Sequence, residues 1–192
     1  NIAKNITTIN AEDELFCLDD SNELLPHVLY EYRVAIKNTG FITYTPWVHV
    51  YTKSAPPSGF RRPSIKVLSP RSIEVRWQQP KYTNGPVESY TVKVRQHIRE
   101  IRNTSQTTAT IESLIPDEKY KVTVTVCNGG GCTQSPIAYV LMPSSSPEGI
   151  LPPVPTPVSQ SLISLIWEPP QFPNGPNVRY EITRQLQEQP LE

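Results

Sequence analysis

A set of residues recurs 90 positions apart: Trp77 with Trp167, Pro80 with Pro170, Asn84 with Asn174, Gly85 with Gly175 and Tyr90 with Tyr180. A second set keeps that spacing elsewhere in the chain: Leu24 with Leu114, Pro26 with Pro116, Tyr30 with Tyr120, Val34 with Val124 and Gly40 with Gly130. Self-similarity at one fixed spacing marks an array of one structural unit. The first set begins a unit and the second ends one, and both occur together only between about Ala55 and Pro143. The expected organisation is the C-terminal half of one unit (1–53), one whole unit (54–143) and the N-terminal half of a third (144–192).

Within the whole unit, apolar residues alternate with polar ones. Ile73, Val75 and Trp77 face one way against Glu74 and Arg76; Tyr90, Val92 and Val94 do so against Lys93 and Arg95. Tyr120, Val122, Val124 and Val126 repeat the pattern against Lys121, Thr123 and Thr125. A period of two is the mark of half-buried strands. The 21 prolines, about twice the usual share of ~5%, cluster between these runs, as at Pro56-Pro57, Pro152-Pro153 and Pro169-Pro170. Proline breaks helices and central strands, so it punctuates an all-β chain here. About 90 residues suit a seven-stranded sandwich with one core between two sheets. Trp77 should be the largest contributor to that core, and Asn84-Gly85 supplies a turn, both residue types tolerating positive φ.

Charge and motif content exclude several function classes. The 18 basic and 18 acidic residues cancel, and a phosphate-binding surface needs a basic surplus. No apolar run approaches the roughly 20 residues of a membrane helix, so neither nucleic acid nor membrane is an expected partner. Three histidines, at 27, 49 and 97, have no spacing that gathers a catalytic triad, so no catalytic, cofactor-binding or metal residue is expected and the chain reads as a non-enzyme. The segments Lys53–Gly59 and Pro143–Gly149 hold one acid between them, too few for the calcium junctions of cadherin-like arrays. Lys93, Arg95, His97 and Arg99 read as a basic stripe at period two, either a solvated face or a surface for an anionic partner. Ile166 falls on the outward phase beside Trp167, and Trp47 is expected to pack near the first junction.

These marks together resemble the fibronectin type III family. Its signature is a tryptophan on the second strand followed by proline, a tyrosine on the third, and Leu-x-Pro-x-x-x-Tyr before the sixth. Trp77-Gln-Gln-Pro80, Tyr90 and Leu114-Ile-Pro116-Asp-Glu-Lys-Tyr120 fit it; Trp167-Glu-Pro-Pro170 with Tyr180, and Leu24-Leu25-Pro26 with Tyr30, fit its two halves. The resemblance implies tandem seven-stranded sandwiches, one complete and two partial, with Trp77, Tyr90, Tyr120, Trp167, Tyr180 and Tyr30 as core residues. It also makes Tyr30 and Tyr120 tyrosine-corner residues bonded to upstream backbone. In finer detail, Cys127-Asn-Gly-Gly-Gly-Cys132, then Thr-Gln-Ser-Pro136, then Pro147-Glu-Gly149 is similar to repeats of very long ectodomains at sensory cilia.

That resemblance points outside the cell, and there it implies a disulfide between Cys127 and Cys132 across one hairpin tip. A loop this short would contribute only about 2 kcal/mol through chain entropy. Free thiols in an intracellular repeat are the other reading, and Cys17 has no evident partner. Asn5-Ile-Thr7 and Asn103-Thr-Ser105 are glycosylation acceptors at Asn5 and Asn103. The implied function is an extracellular adhesion and spacer module of a long multi-repeat ectodomain, a glycoprotein of fibrous links in hearing and vision, at stereocilia and photoreceptors. Its implied partners are extracellular matrix or cell-surface proteins and its own neighbouring repeats. A ligand-binding segment of a receptor kinase or phosphatase ectodomain is the alternative. The half units at the two ends, each exposing core residues and strand edges, could also self-associate.

Overall fold

The computed structural model describes residues 4–10, 12–101 and 105–186. Among them regular structure is entirely β, in fourteen strands. The alternation read from sequence becomes a sandwich between residues 60 and 142. One sheet holds β5 (Ser64–Ser69), β6 (Ser72–Arg76) and β9 (Thr108–Ile111) in the order β5-β6-β9. The other holds β7 (Val87–Val94), β8 (His97–Ile101), β10 (Lys119–Asn128), β11 (Gly131–Gln134) and β12 (Ala138–Leu141). Here β10 is central, bonded to β7 on one side and to β11 and β12 on the other. Those last two are one strand interrupted. Pro136 has no N–H to give the ladder, and beside it the Ser135 hydroxyl, in place of a backbone carbonyl, accepts from Val124 N at 3.0 Å while Ser135 N donates to Val124 O at 2.8 Å.

The inward residues meet between the sheets. Ile73, Val75, Tyr90, Val92, Val94, Val122, Val124 and Val126 have no solvent exposure, and Trp77 retains 5% and Tyr120 2%. The indole of Trp77 lies 5.4 Å from the Tyr90 ring, which in turn meets Phe60 at 6.4 Å. Such tilted pairs contribute about 0.5–1.5 kcal/mol beyond the area they bury. Trp77 Nε1 and the Tyr90 hydroxyl have no hydrogen-bond partner among the described residues, and burial raises the Tyr90 phenol above its ordinary pKa. The outward Thr123 is unexpectedly buried, because Gln134 Nε2 reaches over it to Oγ1 at 3.3 Å.

The flanking strands repeat parts of this sandwich. β1 (Leu29–Tyr32) pairs with β4 (Val48–Tyr51), and β2 (Ala35–Lys37) with β3 (Ile42–Tyr44). Leu29↔Tyr51 sits 90 positions before Lys119↔Leu141, and Ala35↔Tyr44 before Thr125↔Gln134. On the other side, β13 (Val154–Ser159) pairs with β14 (Leu162–Ile166) as β5 pairs with β6, down to the same irregularity, at Val67/Ser69 and again at Pro157/Ser159.

These flanking cores are not closed. Trp167 and Tyr180 meet at 5.7 Å, as Trp77 and Tyr90 do, yet stay 38% and 51% exposed, and Tyr30 is half-buried. Trp167, Tyr180 and Tyr30, expected as core residues, are thus only partly covered among the described residues.

Candidate functional site: the inter-unit junctions

A chain built from similar units can act through the segments that join them. At the first junction the preceding strands hold the linker up to Lys53. His27, in the left-handed region at φ 55, donates its N–H to Lys53 O at 3.1 Å. The next hold belongs to the following sandwich, where Ala55 N donates to Asn84 O at 3.1 Å. Asn84, also left-handed at φ 52, returns a bond from Nδ2 to Pro56 O at 2.8 Å. Thr133 Oγ1 donates to Pro57 O at 2.5 Å, and Ser58 bridges to Tyr82. Ser54 alone lies between the two sets of backbone bonds, its Oγ 3.4 Å from His27 Nδ1.

The tip between β10 and β11 closes over the same segment. Asn128, 5% exposed, donates from Nδ2 to Ala55 O at 2.8 Å and to Thr83 O at 2.7 Å. Its Oδ1 accepts from Gly130 N at 2.8 Å. Gly130 is required sterically, since a Cβ there would stand 2.5 Å from Ser54 C and Ala55 N. Gly85 is required twice over, by φ 148 and by a Cβ that would fall 2.5 Å from Ser54 Oγ. Cys127 and Cys132 are joined by a disulfide just outside this contact, with Cα atoms 4.1 Å apart. An open groove of about 580 Å³ runs along the junction between residues 25–28 and 81–86.

The second junction repeats the first 90 positions on. Asp117 at φ 59 donates its N–H to Pro143 O at 3.4 Å, and Ser145 N donates to Asn174 O at 2.9 Å, leaving Ser144 between. Asn174, 7% exposed, donates to Ser146 O at 2.8 Å, and Glu148 bridges to Phe172. Arg71 adds an ion pair to both oxygens of Glu148 at 3.0 Å. Both side chains are about half exposed, so that pair contributes about 0–1 kcal/mol.

The remaining sequence-derived positions fall as follows. The Tyr30 and Tyr120 hydroxyls each accept from a backbone N–H five residues upstream, Leu25 at 2.9 Å and Ile115 at 2.8 Å. Asn5 is exposed, whereas Asn103 lies outside the described residues. Cys17 is an exposed free thiol. The basic stripe does not exist as one face. Arg95 turns the chain at φ 52, so β8 folds back on β7 with Val92 opposite Arg99 and Lys93 opposite Ile98. Arg95 pairs with Glu118 at 2.7 Å over the Tyr120 ring, and Arg99 donates to Thr110 O at 2.8 Å. Trp47 lies under Arg33 at 4.4 Å, which also covers Tyr44, rather than packing at the junction. Ile166 is 66% exposed. Sequence reasoning took Asn84-Gly85 as a turn alone and passed over Asn128, Thr133 and the Ser54/Ser144 pair. The recurrence of Asn84 as Asn174 and of Ser54 as Ser144 was the signal that could have found the junctions.

Residues 55–140 match the Fibronectin type III domain family. The chain is 33% identical over 196 residues to usherin of Mus musculus, an alignment covering 98% of this chain and 4% of usherin. It is also 34% identical over 128 residues to phosphatidylinositol phosphatase PTPRQ of Homo sapiens, covering 63% of the chain and 5% of that protein. The chain thus spans only about 4% of the length of the usherin it matches. Among solved structures, domains d3-d4 of the rat CD45 extracellular region superpose with a TM-score of 0.56 at 17% identity, over 73% of this chain and 76% of that one, a likeness of fold alone.

Proposed function

Residues 55–140 belong to the fibronectin type III family, and from that premise we propose that the chain is an extracellular spacer and adhesion module. It holds successive sandwiches at a fixed separation and presents their loops to matrix or cell-surface proteins, by binding and without catalysis. The organisation proposed is 1–53, 54–143 and 144–192, in which the end segments are halves of further repeats. The observation that carries the spacer reading is the hand-over of backbone hydrogen bonds across one residue, Ser54 at one junction and Ser144 at the other. A linker whose carbonyls and amides are bound by the units on both sides has little freedom left to swivel. The extent of the likeness to usherin supports fibrous links at sensory cilia as the setting.

Nitrogen-15 relaxation of the labelled chain tests the spacer reading. Amides of β1–β4 and of β5–β12 are expected to report one shared anisotropic diffusion tensor; separate tensors for the two groups would refute it. Mass spectrometry without reductant, on protein made through a secretory pathway, tests the extracellular setting. It should find the Cys127–Cys132 bond and glycan on Asn5 or Asn103, whereas two free thiols on an unmodified chain would point to an intracellular scaffold. The second reading, a ligand-binding segment of a receptor ectodomain, is favoured by the similarity to PTPRQ.

A further inference from the structure

The two hairpin tips pose a physical question. In the first unit, Lys37 and Ile42 pair in the register that Cys127 and Cys132 occupy 90 positions on. That hairpin closes without a disulfide, since Asn38 Oδ1 accepts from Gly40 N at 3.1 Å and Phe41 N at 2.9 Å. Register therefore does not require the covalent bond. What the bridged tip has in addition is a load: the carbonyl of Ala55 on Asn128 Nδ2, and the backbone of Ser54 and Ala55 against Gly130. Gly129, Gly130 and Gly131 have no side chains with which to hold such a tip, and glycine loses the most freedom on being fixed. The pairing of β10 with β7 is also irregular between Cys127 and Asn128, at the base of the tip. Cys132 is exposed, so a reductant can reach the bond.

We infer that the bridged tip is a redox-sensitive latch on the segment entering its own repeat, with Asn128 and Gly130 as the positioning residues and Cys127–Cys132 keeping them closed. This rests on the spacer reading of the junctions. A small dithiol opens the latch by thiol–disulfide exchange: the Cys127–Cys132 bond breaks, both sulfurs leave as thiols, and the dithiol becomes its own disulfide. Residues 128–131 then lift from residues 54–57, and the first junction gains freedom while the sandwich between Phe60 and Met142 stays folded. The second junction, held by Asn174 without this tip, is unchanged by reduction, and the first relaxes only as far as that state, because Asn84 repeats the Asn174 bond there.

Single-molecule energy transfer between dyes on non-canonical residues tests this, with one pair at Lys37 and Lys121 across the first junction and another at Lys121 and Gln160 across the second. The oxidised chain should give one narrow peak for each pair. Dithiothreitol, or the double variant Cys127→Ser with Cys132→Ser, should broaden the first peak and leave the second unchanged. Gly130→Ala, with the bond intact, should shift or broaden the first alone. Circular dichroism of the buried Trp77 establishes that the core is present in each sample. Should the serine variant lose that signal, reduction of the wild-type chain and Gly130→Ala decide the outcome. Peaks narrow before reduction and equally narrow after it, and in Gly130→Ala, would overturn the latch and leave the spacer standing. Broad peaks in the oxidised chain would remove both.

Discussion

Replacing Asn128 by alanine should be among the most damaging polar substitutions in this chain, although the residue touches no ligand and contributes nothing apolar. Its amide donates at 2.8 and 2.7 Å to Ala55 O and Thr83 O and accepts from Gly130 N at 2.8 Å, with 5% of the residue exposed. A neutral hydrogen bond contributes about 1 kcal/mol net, so three give about 3 kcal/mol. Ala55 and Thr83 are only partly buried, so water can reach their abandoned carbonyls and the cost should not climb much beyond that. For a domain of this size, each kcal/mol moves the melting temperature by about 4–8 °C, giving a fall of more than about 10 °C. Thermal unfolding followed by the fluorescence of Trp77, in a background where Trp47 and Trp167 are phenylalanine, reads this out. Asn38→Ala, at the exposed tip 90 positions earlier, is the matched control and should stay within about 0.5 kcal/mol of the parent. A loss below about 1 kcal/mol in Asn128→Ala, or equal losses at the two sites, would refute the reasoning. Asn128→Asp carries a pH signature. Its carboxylate would face two carbonyl oxygens, which with burial raises its folded pKa above the unfolded value. The ionisation part of its penalty is therefore full above the folded pKa, shrinks as pH falls through it and vanishes below the unfolded value, leaving the one carbonyl that a single O–H cannot serve.

Trp77→Ala should cost about 3–5 kcal/mol by denaturant unfolding, whereas Trp167→Ala, 38% exposed, should cost less than half as much; equal costs would contradict the open third core. Tyr90→Phe removes a buried hydroxyl with no partner, so its stability should equal or exceed the parent's, by up to about 1 kcal/mol, and a clear loss would mean the hydroxyl is bonded. Asp19 is held below the usual carboxylate range chiefly by the Tyr32 hydroxyl, which donates to Oδ2 at 2.8 Å. That bond favours the folded form above the ordinary aspartate pKa and is lost as pH falls through the lowered one; carbon-13 titration should show Asp19 returning toward its ordinary value in Tyr32→Phe.

Much of the fold was legible because one spacing governs it. The alternation around Ile73–Trp77, Tyr90–Val94 and Tyr120–Val126 placed the inner faces directly, since period two leaves no choice of side. The same rule failed at Lys93–Arg99, where Arg95 adopts a left-handed conformation and turns the strand back. Nothing in an arginine announces that, because no glycine, asparagine or proline marks the site. The burial of Thr123 was equally hidden, depending on Gln134 reaching across from the next strand. At the junctions the residues were visible and their role was not. Asn84 read as a turn former and Asn128 only as part of a hairpin tip, and only the folded chain shows that their amides meet the linker 28 and 73 residues back.

Amide hydrogen exchange at Ala55 and Ser145 tests most directly whether the units hold their linkers. Both N–H groups should be protected to the level of strand amides in β5 and β13, released only when Asn84 or Asn174 lets go. Exchange at the rate of an unstructured peptide at these two positions, with the amides of β6 and β10 still protected, would mean that the sandwich folds while its linkers swing free.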